Sequence, residues 1–277
     1  MMELPESRTI AQQLNKTVRG KQIKDVTVGH TPHGFTFFSM DKEQYPRLLN
    51  GRIITNSLSW SAQIEMQTDG GYNLALNDGI NLRFLATAEA RPEKHQLLIE
   101  FTDGAALVCS VQMYGGIMLF KEGEYNNPYY LVAKEKEAFN PLTDAFSEAY
   151  FMQIWQSVKA NISIKALLAT EQRIPGIGNG VIQDILFNAK VNPQSKIGSL
   201  NLQKMQQIFS SLKTTLAEMT AGGGRDTEKD LFGQNGQYQT VLSSKTWQKP
   251  CPLCFSPIIR KAYLGGNVYF CPTCQPL

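Results

Sequence analysis

Four cysteines near the C-terminus constrain this chain more than any other feature. They fall as Cys251-Pro-Leu-Cys254 and, after sixteen intervening residues, Cys271-Pro-Thr-Cys274. Two C-x-x-C knuckles at that separation can deliver four thiolates to one tetrahedral Zn²⁺. Ile258, Ile259, Tyr263, Val268 and Tyr269 lie between them, a pattern that suits a β-hairpin with the metal at its open end. Two disulfides are the competing arrangement. However, the chain has no signal-like apolar start and no apolar run near the ~18 residues of a membrane span. It is therefore expected to be cytoplasmic, where thiols stay reduced. Four protein ligands leave no open position, so the expected cofactor is one structural Zn²⁺ with no catalytic duty. Cys109 falls in a predicted strand and reads as an inert core thiol.

The remainder of the 277 residues divides by periodicity. Ile10, Leu14 and Val18 share one face of a leading helix. Short strands are predicted at 23–28, 35–38 and 82–85, and a hairpin at 96–113 turns on Thr102-Asp103-Gly104. A charged stretch with Pro141, Lys134 to Asp144, reads as a linker. Beyond it the spacing becomes helical, with stripes at Phe146/Tyr150/Ile154, at Leu167/Leu168, at Ile182/Ile185/Leu186/Ala189 and from Met205 to Met219. Three glycines at 222–224 stop the last helix. The polar segment from Arg225 to Gly236 fits either a mobile cover over a site or a solvated connection. The predicted units are a β domain at 1–135, a linker at 136–144, a helical domain at 145–240 and a zinc hairpin at 245–277.

Composition supports a packed fold: 42% of residues are apolar and 18% charged, far from the disordered regime. Net charge is only +3, but residues 1–150 hold 14 Lys and Arg against 18 Asp and Glu, and residues 151–277 hold 13 against 6. A basic C-terminal half is the distribution expected of a surface that faces phosphates.

Two more segments carry chemistry. Arg173-Ile-Pro-Gly176-Ile-Gly178-Asn179 runs directly into a helix. Glycines leading into a helix N-terminus bare backbone N–H groups at its positive end, a natural place for a phosphate. Asn179 can cap the helix or donate to that anion; a tight turn between helices would look similar. At the other end of the chain, Glu3 and Glu6 lie beside the α-amino group, whose unperturbed pKa of about 8 leaves a nucleophilic fraction at neutral pH. A neighbouring carboxylic acid can shuttle protons for it, although acidic residues also simply favour a first helical turn.

Taken in this order, these segments resemble the formamidopyrimidine-DNA glycosylase/endonuclease VIII family over nearly the whole chain. Met1-Met2-Glu3-Leu4-Pro5-Glu6 is similar to the family's Met-Pro-Glu-Leu-Pro-Glu start. Gly176-Ile-Gly178-Asn179 with Asp184-Ile-Leu-Phe187 and Asn192-Pro193 resembles its helix–two-turn–helix, and the cysteines match its zinc finger. The resemblance implies an α+β fold: an N-terminal β-sandwich with a leading helix, a helix–two-turn–helix domain and a C-terminal β-hairpin zinc finger, acting as a monomer. It also implies duplex DNA with a damaged or abasic site as partner, cytoplasmic and nucleoid-associated if the source is bacterial. In such enzymes the lesion base is flipped out of the stack, the N-terminal proline amine forms a Schiff base with the sugar, and the adjacent glutamate, Glu3 here, is the proton donor. Glu6 belongs to the same catalytic group. Arg173, Gly176, Gly178 and Asn179 would hold phosphate.

The chain departs from that family at its functional points. Met2 stands in place of the proline, and a Met-Met start is a poor substrate for methionine removal. Ala62 falls near the place of the family's β-hairpin lysine. Gly266, followed by Asn267, stands where the zinc-finger arginine is expected, leaving Arg260 and Lys261 as cations on the finger. Gln112 and Tyr114 replace the arginine and phenylalanine that fill the gap left by the flipped nucleotide; Tyr114 can still stack and Gln112 can still bond a base edge. The expectation is a DNA repair protein of glycosylase/AP-lyase type with altered or lost catalysis. A non-catalytic lesion-binding protein on the same scaffold is the alternative, and an RNA- or ribosome-associated protein is a third.

Overall fold

The computed structural model describes residues 2–77 and 79–277. Chain order begins with α1 (Leu4–Thr17), whose apolar face carries Ile10 and Leu14 into the core, with Val18 just past its end. Glu6 reaches back to accept the Glu3 backbone N–H at 3.0 Å, which satisfies a donor the helix itself leaves open. Pro5 sits in the first turn, where its missing N–H costs nothing.

Nine strands then form two sheets. One has the order β1 (Ile23–Val28), β7 (Leu97–Phe101), β8 (Ala106–Val111), β6 (Ile80–Leu85). The other has the order β2 (Thr36–Phe38), β9 (Gly115–Lys121), β5 (Tyr72–Leu76), β4 (Gln63–Thr68), β3 (Ile54–Trp60). All neighbours are antiparallel except β2 and β9. Ile64, Leu74, Leu76, Leu82, Ile99, Leu107, Cys109 and Leu119 fill the space between the sheets together with the face of α1. Cys109 is the expected core thiol: it is fully buried, and burial pushes its pKa far up. The short helix α2 (Gln44–Leu49) adds Tyr45, whose hydroxyl donates to the Ile117 carbonyl at 2.5 Å.

α3 (Pro128–Glu135) is pinned to the second sheet by a buried acid. Glu65 on β4 accepts from Trp60 Nε1 (2.7 Å), Gln67 Nε2 (3.0 Å), Asn73 Nδ2 (2.9 Å) and the Tyr130 hydroxyl (2.6 Å). A carboxylate with four donors can be buried without leaving a bare charge. The stretch read as a loose linker is packed. It contains the end of α3 and a 3₁₀ turn at Lys136–Phe139. Glu137 in that turn pairs with Arg8 of α1 and accepts from Asn140 Nδ2 at 2.9 Å.

The helical lobe comprises α4 (Glu148–Gln156), α5 (Ile164–Ala169), α6 (Asn179–Asn188) and α7 (Leu202–Ala221) around a second core. Leu4, from the start of α1, is buried in that second core, so the N-terminal residues are built into both lobes. The segment after α7 is neither a free cover nor a solvated connection. Leu231 is fully buried in the sandwich core. Its N–H donates to Gln13 Oε1 (3.0 Å), and its carbonyl accepts from Phe84 N (2.8 Å). Gln13 Nε2 donates to Asp230 (2.8 Å), and Phe232 packs edge-on against Phe84. The segment thus leaves the helical lobe and docks on the sandwich.

The last unit is the hairpin of β10 (Ile259–Tyr263) and β11 (Gly266–Phe270). α6 holds it through Gln183, which donates to the Asn267 carbonyl (3.2 Å) and accepts from Tyr269 N (3.0 Å). The buried Lys165 of α5 donates to the carbonyls of Tyr263 and Leu264 at the hairpin turn.

Candidate functional site

The two lobes meet at a buried cluster of charge. Glu3 places one oxygen on Gly180 N and the other on Val181 N, each at 2.8 Å, so its carboxylate sits on the N-terminus of α6. The anion at that helix end is thus the protein's own, and it satisfies two N–H groups that the helix leaves open. Arg225 lies against both acids. It donates to Glu6 through its backbone N (3.1 Å), Nε (2.9 Å) and Nη2 (2.8 Å), and its Nη1 is 3.5 Å from Glu3. The guanidinium comes so close to α6 that a Cβ at Gly180 would overlap it. This approach, more than room for phosphate, accounts for glycine at that position.

The environments of the two acids differ. Burial raises the Glu3 pKa above the ordinary carboxylic range, with Glu6 adding to the rise and Arg225 and the two helix N–H groups opposing it. Burial also opposes ionisation of Glu6, but there the charge and hydrogen bonds of Arg225 prevail and the pKa falls. Arg225 is held charged by both neighbours in spite of burial. Two acids pushed in opposite directions suit a division of roles, with Glu3 the one that can carry and release a proton.

A cavity of about 270 Å³ opens beside the cluster, lined by Met2, Glu6 and Ile10 of the N-terminal segment, by residues 80–83 of β6, by Ser110 and Gln112, and by Glu228, Lys229 and Asp230. Met2 and Gln112, singled out from sequence, therefore meet Glu6 at one place. The Met2 side chain is 5% exposed and packs with the sandwich core. Tyr114 is 42% exposed on the turn that follows β8.

The other expected phosphate contacts are spread out and partly engaged. Arg173 donates to the Ala166 carbonyl at 3.1 Å and pairs with Glu171. Arg260 lies over the Trp247 ring at 5.6 Å, and Lys261 donates to Gln194 at 3.2 Å. Gly176 and Gly178 form the turn into α6, Gly176 with φ +86°. Asn179 leans on the zinc hairpin: a Cβ at Gly266 would overlap its side-chain nitrogen, and its Oδ1 is buried without a hydrogen-bond partner. The place where the resemblance leads one to expect an arginine is therefore closed by Asn179. Gly266→Arg should force the hairpin off α6, costing about 1–3 kcal/mol as overpacking does, without tightening DNA binding. Urea melts and a DNA titration check this; unchanged stability with tighter binding would refute it.

Sequence reasoning missed the residues that join the units: Arg225, Lys165, Gln183, and Asp184 as a buried acid. Asp184, inside α6, accepts from Val241 N (2.9 Å) and Leu242 N (2.8 Å), yet burial pushes its carboxyl up to about 6. Because the folded value lies above the unfolded one, its contribution to stability is present below about pH 4 and lost as pH rises through 6. Relative to Asp184→Asn, which does not titrate, the native chain should therefore lose about 2 kcal/mol between pH 4 and 7. Paired denaturant melts across that range measure it, and a constant gap would show that Asp184 ionises at its ordinary pH.

The four C-terminal cysteines converge: their Sγ atoms all lie within 4.8 Å of one another, with Cys251–Cys274 at 3.8 Å and Cys254–Cys271 at 3.4 Å. A tetrahedral Zn²⁺ with bonds of about 2.3 Å spaces its sulfurs by about 3.8 Å, so the cluster fits one structural zinc. Among the described residues it is the one group of three or more metal-binding side chains so arranged.

Comparison with known proteins agrees with this geometry. The family profile described as the formamidopyrimidine-DNA glycosylase N-terminal domain matches residues 1–110, and that of the H2TH domain of the same glycosylase matches residues 138–229. The chain is 29% identical to the formamidopyrimidine-DNA glycosylase of Bacillus cereus over 283 aligned residues, covering 100% of this chain and 99% of that one. It is 26% identical to that of Wolbachia pipientis, covering 99% and 100%. The fold is shared with the Lactococcus lactis protein solved with N7-benzyl-Fapy-dG DNA (TM-score 0.83, 22% identity, 99% and 100% covered). It is shared too with the Thermus thermophilus protein (TM-score 0.80, 23% identity, 99% and 98% covered). The chain belongs to the formamidopyrimidine-DNA glycosylase/endonuclease VIII family. No helix among the described residues is long and apolar enough to cross a membrane.

Proposed function

We propose that this chain is a DNA repair protein that binds duplex DNA carrying a damaged or abasic nucleotide, flips that nucleotide into the cavity between its sandwich and the docked 228–230 segment, and processes it as a glycosylase/AP lyase. The observation that carries the proposal is the juxtaposition of the cavity with the Glu3–Glu6–Arg225 cluster, one acid of which is biased toward its protonated form. Glu3 would supply the proton that a departing base or sugar oxygen requires. Gln112 and Tyr114 would occupy the gap left in the duplex. The turn at Arg173–Asn179 and the finger cations Arg260 and Lys261 would face the backbone.

The reading as a lesion-binding protein without catalysis has its own support in the buried Met2 side chain and in Ala62 and Gly266 at the family's lysine and arginine positions. Incubation with duplexes bearing an oxidised base or an abasic site separates the two. Base release or strand incision at the lesion supports the enzyme. Lesion-selective binding with neither product supports the binder, and no preference for lesion duplex over intact duplex refutes both.

A further inference from the structure

The cavity holds a nucleophile at a position that the N-terminal resemblance does not supply. Position 2 carries a methionine whose side chain is anchored in the sandwich core. In the wall of the same cavity, the docked segment presents Glu228, Lys229 and Asp230. Lys229 is the one lysine among the described residues lining the cavity. It is exposed, and its ammonium makes no ion pair or hydrogen bond among the described residues. Its backbone is fixed: Lys229 bridges Asn235, and the next two residues are tied to α1 and β6 by the Asp230–Gln13 and Leu231–Phe84 bonds. An exposed amine on an anchored backbone that lines the cavity is placed to meet a sugar whose base has been swung inside.

We propose that Lys229 is the amine that attacks C1′ of the abasic sugar, in place of the N-terminal amine; this rests on the lyase reading above. In its neutral form the Nζ lone pair adds to the aldehyde carbon of the ring-opened deoxyribose, and the carbonyl oxygen becomes a hydroxyl as nitrogen gives up a proton. A second proton, delivered to that hydroxyl by a carboxylic acid of the cluster, lets it leave as water, giving a protonated imine. The imine acidifies C2′, whose proton passes to a carboxylate of the same wall, Glu228 being adjacent. The electron pair forms the C2′–C3′ double bond, and the 3′ phosphate departs with the C3′–O pair. Water then hydrolyses the imine, returning the lysine and releasing the unsaturated aldehyde. No oxidant or reductant is needed.

Reductive trapping tests the assignment. The full-length protein is incubated with an abasic-site duplex and sodium borohydride, which reduces any imine to a stable secondary amine, and the adduct is mapped by mass spectrometry. Trypsin cannot cleave after an alkylated Lys229, so the adduct is expected on the peptide from Asp226 to Lys245. Lys229→Arg keeps charge and length, but a guanidinium forms no such adduct. It should bind the abasic duplex as the native chain does and trap nothing above the borohydride-free control. A form blocked at its N-terminus should trap normally. An adduct on the N-terminal peptide, or one that survives in Lys229→Arg, overturns the assignment. If the native chain binds the abasic duplex but forms no adduct and no incision, the assignment fails and lesion binding stands. If it does not bind that duplex, the proposed function fails and the assignment with it.

Discussion

Arg225→Met should destabilise the protein by about 3–5 kcal/mol, the usual cost of removing one partner from a buried ionic group and leaving the other uncompensated. For a chain of this size that is of the order of 10 °C in melting temperature. The expectation follows from burial and count: Glu3, Glu6 and Arg225 are at most 5% exposed, and one guanidinium faces both acids. Without it, among the described residues Glu6 keeps only the Glu3 and position-225 backbone N–H groups, and Glu3 only the two donors of α6. Both carboxyls must then take up protons or draw water into the junction between lobes. Pairing the change with Glu6→Gln removes one of the stranded charges, so the double variant should recover part of the loss and the two effects should not add. Arg225→Lys should not rescue, because an ammonium cannot reproduce the donors that Nε and Nη2 direct at Glu6. Thermal and urea melts decide the matter; a variant as stable as the native chain would mean that solvent already screens the cluster. Base release should fall as well, since Arg225 opposes the rise of the Glu3 pKa and its loss leaves that acid holding its proton more firmly.

The parts of this design that were legible in the sequence share a cause: each repeats a simple period or spacing. The zinc cysteines declare themselves by paired C-x-x-C. The α1 face and the long α7 stripe declare themselves by apolar residues every three or four positions, and the β7–β8 hairpin by two apolar runs around a turn. Strands β3, β4, β5 and β9 were not legible. β3 turns Ser57 and Ser59 inward and β4 turns Glu65 inward, all buried, so polar residues interrupt the apolar pattern on which strand recognition rests. Four donors satisfy Glu65, and they come from β3, β4, β5 and α3; nothing local announces that they converge. The glycine-rich turn before α6 was seen, but its guest was not. Reading it as a phosphate cradle followed from local chemistry, whereas the occupant is Glu3, some 177 positions away in sequence. Arg225 was hidden for the same reason. It opens a charged, glycine-flanked segment that looks solvated, and its burial depends on acids at the far end of the chain. The same segment carries Leu231 and Phe232, one short apolar pair among polar residues, and only the completed sandwich supplies the hole that Leu231 fills.

Removing zinc should have the largest local effect of any change described here. Structural zinc contributes on the order of 10–16 kcal/mol in isolated finger peptides, and little else is available to hold this hairpin together. Its own core is Cys251, Cys271, Ile258 and Tyr269 packed against Leu242 and Phe187, two of the six being metal ligands. Its remaining hydrogen bonds to the helical lobe among the described residues are those of Gln183, the Lys165 bonds to two carbonyls, the Lys261 bond to Gln194 (3.2 Å), and the reciprocal pair in which Asn192 Nδ2 donates to the Gln275 carbonyl (3.0 Å) and Gln275 Nε2 to that of Val191 (2.9 Å). Hydrogen bonds of this kind are worth about 1 kcal/mol each, net, too little to order some thirty residues against conformational entropy of 1–2 kcal/mol per residue. A strong chelator, or Cys271→Ala, should therefore release the hairpin, and amide exchange at β10 and β11 should rise to the rate of an unfolded segment. The sandwich and the α4–α7 core, which owe nothing to the metal, should keep their protection. Elemental analysis should give one zinc per chain beforehand and none afterwards. DNA affinity should fall and its salt dependence flatten, because Arg260 and Lys261, the cations proposed to face the backbone, leave with the hairpin. Hairpin amides that stay protected in zinc-free protein would show that α6 holds the unit and that the ion only decorates it. In that case Lys165 and Gln183 would have to carry far more than their hydrogen bonds account for.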